Sequence, residues 1–277
     1  GGVGIQLKQA FCPTPERECE GCAVQESCVY YALYENKSQK VGEAAPPRPI
    51  LLVPPFFGRE MRWNEGAILS LGLILFGDYI RYLPHIVHAL SMLGKKGIGS
   101  RRCYGLNQFM VSSITSMQGK EVYRDGSVSI ENITPMDVCE LSSPLVEQES
   151  ALTVRFKTPM VLKSGGFPPS LDRLLWMVRQ RLILYVNEYG DGARVPSFEC
   201  ISEVLSSNAH FHVLRGVSSR AGARQFYAYT GEVEYRVHQL DESARWLLAV
   251  GSLIGAGPKA SFAMGFFDVE STRPHRD

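Results

Sequence analysis

The chain has no long hydrophobic run, no excess of charge of one sign and, over its first 84 residues, no histidine. Each absence excludes something. A bilayer-spanning helix needs about 18–20 consecutive apolar residues, and Ile68–Phe76, the most apolar stretch, falls far short. A net charge of +1 over 277 residues rules out a polycation that coats nucleic acid through its whole surface. No signal peptide is visible behind Gly1, which predicts a cytoplasmic protein without a membrane partner. The missing histidine removes the commonest acid–base side chain from the early part of the chain.

Acidic residues are also missing locally, and here the absence points to a ligand. No Asp or Glu falls between Tyr79 and Lys120, where Arg81, Lys95, Lys96, Arg101, Arg102 and Lys120 stand. None falls between Leu205 and Gly231, which hold Arg215, Arg220 and Arg224. Local basic faces on a neutral protein predict a polyanion bound at one site.

What is present is organised around a glycine loop near the end, Gly251 to Asp268, with Gly255, Gly257, Lys259, Ser261 and Gly265. It leaves an amphipathic helix and enters an apolar strand. Glycines let backbone lie close to a ligand, and Lys259 and Ser261 add a charge and a hydroxyl for phosphate. The alternative is a tight helix-to-strand turn. Gly97, Gly99 and Gly105 form an earlier copy around Arg101 and Arg102, which suggests two related domains.

Periodicity fills in the rest. In the second half Leu152, Val154 and Phe156 alternate as a strand, and a helix follows Ser170 with an apolar face from Leu171 to Val186. Pro196–Ser206 is assigned to a second helix, Phe211–Leu214 and Gln225–Val237 to strands, and Asp241 or Ser243 to the start of the next helix. Phe262–Val269 is expected as the last strand. That order, β-α-β-β-α-β, is the ferredoxin-like unit.

The first half reads α-β-β-α-β: a helix over Val3–Phe11, strands at Ile50–Val53 and Ala67–Phe76, a helix from Asp78 to Leu93, and a strand over Phe109–Ile114. Pro84 either kinks that helix or begins it anew. The expected fold is α+β, with two tandem ferredoxin-like (RRM-like) βαββαβ domains, the first without its N-terminal strand. The domains run over 1–118 and 151–277, joined by 119–150, where Asp125-Gly126 signals a hairpin.

There are seven cysteines. Cys12, Cys19, Cys22 and Cys28 are spaced C-x6-C-x2-C-x5-C, a set that fits one tetrahedral structural zinc with no open position for water. Two disulfides or four buried thiols are the alternatives. Cys103, Cys139 and Cys200 read as single core positions.

Together these stretches resemble the endoribonuclease family that processes CRISPR precursor RNA, within the RAMP superfamily. The resemblance is carried by Gly4-Ile5-Gln6-Leu7, Tyr30 to Glu35, Leu75-Phe76-Gly77, Gly97 to Arg102, Phe156 to Gly165, Ser218 to Arg220 and the closing glycine loop, in that order. It implies metal-independent cleavage of repeat RNA by the 2′-hydroxyl, retention of the crRNA product, and other subunits of a CRISPR effector complex as partners. It implies no cofactor for catalysis. Many members keep a histidine near the first helix, and this chain has none there.

Such cleavage needs a base, an acid and a cation near the phosphorane. His210 and His212 alternate on one strand face and lead into Arg215, Ser218, Arg220 and Arg224, so they are the first choice, with Phe211 pointing the other way into the core. Tyr31 is added because the family's site borrows from this region; Tyr30 and Lys37 are weaker. Phe226, Tyr227 and Tyr229 are candidates for stacking on bases. A non-catalytic RNA-binding subunit with the same fold is the competing reading. A dinucleotide-binding enzyme is more distant, since neither glycine loop opens a helix.

Overall fold

Strand β6, Ala151–Met160, buries Leu152, Val154 and Phe156 on one face and turns Arg155 to the other, as alternation requires. Helix α3, Leu171–Tyr189, covers that buried face with Leu171, Leu174, Leu175, Val178 and Leu182. The computed structural model describes residues 2–35, 47–55, 63–98, 107–142, 151–162, 166–218, 222–259 and 262–271.

After α3 come β7 (Cys200–Ser218), β8 (Gly222–Leu240), helix α4 (Glu242–Ile254) and β9 (Phe267–Ser271). The sheet order is β7-β8-β6-β9, with every neighbouring pair antiparallel. This is the split βαβ arrangement of a ferredoxin-like domain, with β8 inserted between β6 and β7. Asp241 caps α4, accepting from the Ala244 N–H at 2.7 Å. Arg181, largely buried on α3, donates to the Ile254 carbonyl at 2.9 Å and so satisfies the C-terminal end of α4. Ser170 holds the N-cap position of α3 without a side-chain bond to it.

In the first half, α1 is Gly2–Phe11, β1 Ile50–Val53, β2 Gly72–Leu75 and α2 Leu83–Lys96. Helices α1 and α2 pack closely, with Leu93 against Gly2, and Lys96 donates to the Gln9 side chain at 2.7 Å. The Phe76 N–H donates to the Pro49 carbonyl while Val53 stands beside Gly72, so β1 and β2 run antiparallel. Strands β3 (Ser113–Thr115), β4 (Glu121–Arg124) and β5 (Ser127–Val128) form a small sheet. Asp125 and Gly126, both at positive φ, make the expected turn between β4 and β5. By contact, the chain divides into Gly1–Ile50 with Leu75–Met136, and Leu51–Ile74 with Asp137–Asp277. Among the described residues no helix is long and apolar enough to cross a membrane.

Several sequence expectations are corrected. Pro196–Ser206 is not a helix. Arg179 of α3 donates to the carbonyls of Val195 and Pro196, and from Cys200 the chain pairs with β8 as a strand. Tertiary pairing overrides local preference there. Only Gly72–Leu75 of the Ala67–Phe76 run is strand; Ile68 is 85% exposed, beyond a turn at Gly66. Helix α2 begins at Leu83 with Pro84 in its first turn, and Asp78 lies in a preceding 3-10 turn. Phe109 does not open a strand, because its N–H goes to the Gly94 carbonyl at 3.1 Å, at the end of α2. The last strand starts at Phe267, after positive φ at Ala263 and Gly265. Cys139 is exposed and Cys200 only partly buried, so neither is a core residue.

Candidate nucleic-acid interface

β7 and β8 stay paired from Cys200↔Leu240 to Ser218↔Gly222, but β6 leaves β8 at Tyr229. Beyond that point the two strands continue as a ribbon, with Gly222–Ala228 of β8 spanning about 20 Å at strand rise. A lone two-stranded ribbon is marginally stable. This one is tied to the core by rings. Phe156, 2% exposed, meets Phe167 at 5.5 Å; Phe167 stacks on Tyr229 at 5.0 Å; Tyr229 meets Phe211 at 5.4 Å; Phe211 stacks on Tyr227 at 6.0 Å. Phe211 is therefore not in the core, as alternation suggested. It is 55% exposed and Tyr227 58%, because the ribbon runs past the helices that would cover them. Exposed stacked rings offer π faces of the kind that bases use.

The opposite face carries the histidines. The register pairs His210 with Thr230, His212 with Ala228 and Leu214 with Phe226, so these six share a face. His212 Nε2 lies 2.6 Å from Thr230 Oγ1, and Thr230 is buried. Partial burial, then the charge of His210, pull the His212 pKa below its usual value. At neutral pH the ring is uncharged and in its proton-accepting form. His210 stands exposed beside it.

The closing glycine loop meets the same face. Lys259 Nζ is 5.4 Å from the centre of the Phe226 ring and 5.7 Å from that of Phe262, a cation between two aromatic faces. Lysine and histidines, far apart in sequence, thus come to one end of one sheet. At Gly255 and Gly265 the backbone N–H is turned inward. The Gly255 N–H donates to Gly251, the Ala256 N–H to Gly265 and the Gly265 N–H to the Pro159 carbonyl. The Phe266 N–H goes to the buried Thr158 hydroxyl at 2.8 Å. These donors are engaged within the fold, so they do not cradle phosphate. At Gly265, with φ +78°, a Cβ would lie 2.1 Å from the Ala256 oxygen. The loop's glycines allow close packing, and Lys259 supplies its charge.

Elsewhere on this domain several acids and bases are paired. Arg155 bridges Glu232 and Glu270, Lys157 meets Asp268 at 2.7 Å, and Arg236 pairs with Glu203. No acid lies on the ribbon between Leu205 and Gly231.

The other predicted residues divide as follows. Arg101, Arg102, Arg220, Ser261 and Lys37 lie outside the described residues, as does Cys103. Arg215, Ser218 and Arg224 are placed by backbone alone, opposite Gln225, Gly222 and Gly216 near the ribbon tip. Tyr31 opens a π-helical turn, Tyr31–Glu35, in the first unit, where the neighbouring Tyr30 hydroxyl donates to Glu35 at 2.8 Å. Sequence reasoning missed Thr230, Phe167 and Phe262, whose roles come from cross-strand and loop-to-strand contacts that no local pattern signals. The four clustered cysteines are partly buried and unbridged. Among the described residues no three His, Cys, Asp or Glu side chains form the shell of a single metal ion.

Comparison with known proteins follows the same two halves. The N-terminal domain of the AF_1859 family matches residues 1–135 and its C-terminal domain residues 152–269. A protein of Archaeoglobus fulgidus, named as uncharacterized, is 41% identical over 271 residues, 98% of this chain and 90% of the relative. Among solved structures, a partial Cas6-RT-Cas1–Cas2 complex aligns with a TM-score of 0.52 at 11% identity, over 92% of this chain and 44% of that one. A Cas6 product complex aligns at 0.49 and 17% identity, over 97% and 90%. Thermus thermophilus Cas6 aligns at 0.45 and 15%, over 87% and 84%. The likeness to the first shows the fold: α+β, with tandem ferredoxin-like domains.

Proposed function

Since this chain belongs to the family of the Archaeoglobus fulgidus protein and the AF_1859 domains, and its fold is that of the Cas6 structures, we propose that it is an endoribonuclease that processes CRISPR repeat RNA. The observation that carries the reading is the single ribbon face shared by His210, His212 and Phe226, with Lys259 against the Phe226 ring. His212, uncharged at neutral pH, takes the proton of a 2′-hydroxyl. The freed oxygen attacks the adjacent phosphorus and closes a 2′,3′-cyclic phosphate. The bond to the 5′-oxygen breaks, and His210 as the acid returns a proton to that oxygen. Lys259 offsets the charge that builds on the phosphorane. The exposed rings of Phe211 and Tyr227 hold unpaired bases on the ribbon's other face. Tyr31 belongs to the first unit, and the two histidines account for both proton transfers without it.

Purified protein mixed with repeat RNA in excess EDTA tests the reading. We expect one product ending in a 2′,3′-cyclic phosphate and one beginning with a 5′-hydroxyl. Tight binding with no cleavage would instead make the chain an RNA-binding subunit. Phosphate contacts should dominate affinity, so it should fall steeply with salt. Lys259→Ala should weaken RNA binding and reduce the slope of log affinity against log salt by about one. A slope that does not change would remove Lys259 from the interface.

A further inference from the structure

His212 and Thr230 do not stand directly opposite each other. The register sets His210 across from Thr230 and His212 across from Ala228. The 2.6 Å contact between His212 Nε2 and Thr230 Oγ1 is therefore a diagonal one. Diagonal neighbours on paired strands are about 7–8 Å apart at the backbone, so the imidazole has to lie across the gap between the strands to make it. Ala228 leaves room for that, because a methyl group is all it places opposite His212. Thr230 is only 4% exposed, so its oxygen is largely shielded from water. Threonine is also stiff at χ1, which restricts the direction in which that oxygen points. A buried, directionally fixed hydroxyl thus holds one nitrogen of a partly buried ring.

We propose that Thr230 is a positioning residue for His212: its oxygen accepts the Nε2 proton, which leaves the lone pair of the neutral ring on Nδ1 and makes Nδ1 the atom that takes the 2′-hydroxyl proton. The inference rests on the proposed function, in which His212 is the base. A neutral imidazole has one donor and one acceptor nitrogen, and the bond made at one settles the role of the other. Two arrangements satisfy the contact. In one, the Thr230 hydroxyl donates to Nε2. Nδ1 then carries the ring proton, and the ring takes another only after the bond to Thr230 has broken. In the other, Nε2–H donates to Thr230 and Nδ1 is the acceptor. When Nδ1 gains a proton, the ring becomes an imidazolium whose Nε2–H still donates to the same oxygen. That bond is present before and after the transfer, so the ring does not have to turn during the reaction. The second arrangement is the one that suits a base. The O–H bond of the 2′-hydroxyl breaks, an N–H bond forms at Nδ1, and the electron pair left on oxygen goes to phosphorus. Thr230 touches none of the reacting atoms and acts through His212.

The ring itself is read by nuclear magnetic resonance of the full chain labelled with ¹⁵N-histidine, at a pH where His212 is neutral. Long-range proton–nitrogen correlations distinguish the two tautomers, and the His212 signals are those missing from His212→Gln. An Nε2-protonated ring is expected; an Nδ1-protonated ring would overturn the inference. Thr230→Val keeps the shape of the side chain and removes the hydroxyl. It should bind RNA as wild type does, lose the single tautomer, and slow single-turnover cleavage by about 10- to 100-fold. Thr230→Ser should restore both tautomer and rate. Either a wild-type cleavage rate or an unchanged tautomer in Thr230→Val would also overturn the inference. The tautomer is measured without RNA, so the two readings fail separately. An Nδ1-protonated ring in a protein that cleaves overturns this inference alone. A protein that cleaves nothing, yet loses an Nε2-protonated ring in Thr230→Val, overturns the proposed function and supports the hold of Thr230 on the ring.

Discussion

His212→Ala is expected to slow single-turnover cleavage of repeat RNA by roughly 10²- to 10⁴-fold while RNA affinity changes little. The expectation follows from the position of the ring. His212 is held by the Thr230 hydroxyl at 2.6 Å, partly buried, and uncharged at neutral pH. The alanine variant has a second effect to separate out. Thr230 is buried, and removing its partner costs on the order of 1–3 kcal/mol of stability. His212→Gln is the control. Glutamine can still bond to Thr230 but cannot exchange a proton near neutrality, so it should fold as well as wild type and remain slow. The pH profile adds a readout that a structural role would not move. A base with a lowered pKa is deprotonated earlier as pH rises. The rate should therefore climb through a midpoint below the usual histidine value of about 6.5, and fall again at the pH where the acid loses its proton. In His212→Gln that acid limb should vanish. Wild-type single-turnover rates in both variants would show that the proton transfer lies elsewhere, with Tyr31 the next residue to replace.

Gly265→Ala is expected to destabilise the second domain by about 2–4 kcal/mol, read as a fall in melting temperature. The new Cβ would lie 2.1 Å from the Ala256 carbonyl oxygen, at a φ of +78° that alanine adopts poorly. Neither atom can move cheaply. Ala256 and Gly265 are joined by a backbone bond of 2.9 Å, and Gly265 is tied to Pro159 at 3.0 Å. Disturbing that join displaces the loop that brings Lys259 to Phe226, so RNA binding should fall by more than in Lys259→Ala. Gly257→Ala is the informative neighbour. Its φ is +86°, but the added Cβ would sit 3.2 Å from the Val161 oxygen, a contact that a small shift relieves. If the glycines serve packing, Gly265→Ala should be far the more damaging to stability. An unchanged melting temperature in Gly265→Ala would refute the packing role, and lost RNA binding in a fully stable Gly257→Ala would restore the phosphate cradle.

Local physics made much of the architecture legible from sequence. The alternation of Leu152, Val154 and Phe156, the apolar stripe of α3, the Asp241 cap and the Asp125-Gly126 turn are short-range effects, and each stands where its pattern put it. From them the ferredoxin-like order of the second half could be read. The resemblance in motif order implied the same tandem ferredoxin-like fold. The pairing of His210 with His212 on one face was likewise a matter of period two.

The remaining features depended on contacts between distant parts of the chain. Pro196–Ser206 has no decisive local pattern, and β8 together with Arg179 made it extended. Phe211 alternates like a core residue, but the helices end before they reach it, and only the ribbon's projection left it exposed. Whether Gly255, Gly257 and Gly265 approach a ligand or their own backbone cannot be told from glycine alone. The bonds among Ala256, Gly265 and Pro159 show that Gly265 lies against its own backbone. Lys259 and His212 lie on elements separated by β8 and α4. No periodicity relates them, because their arrival at one sheet face depends on the register of β7 with β8 and on where α4 returns the chain to the sheet.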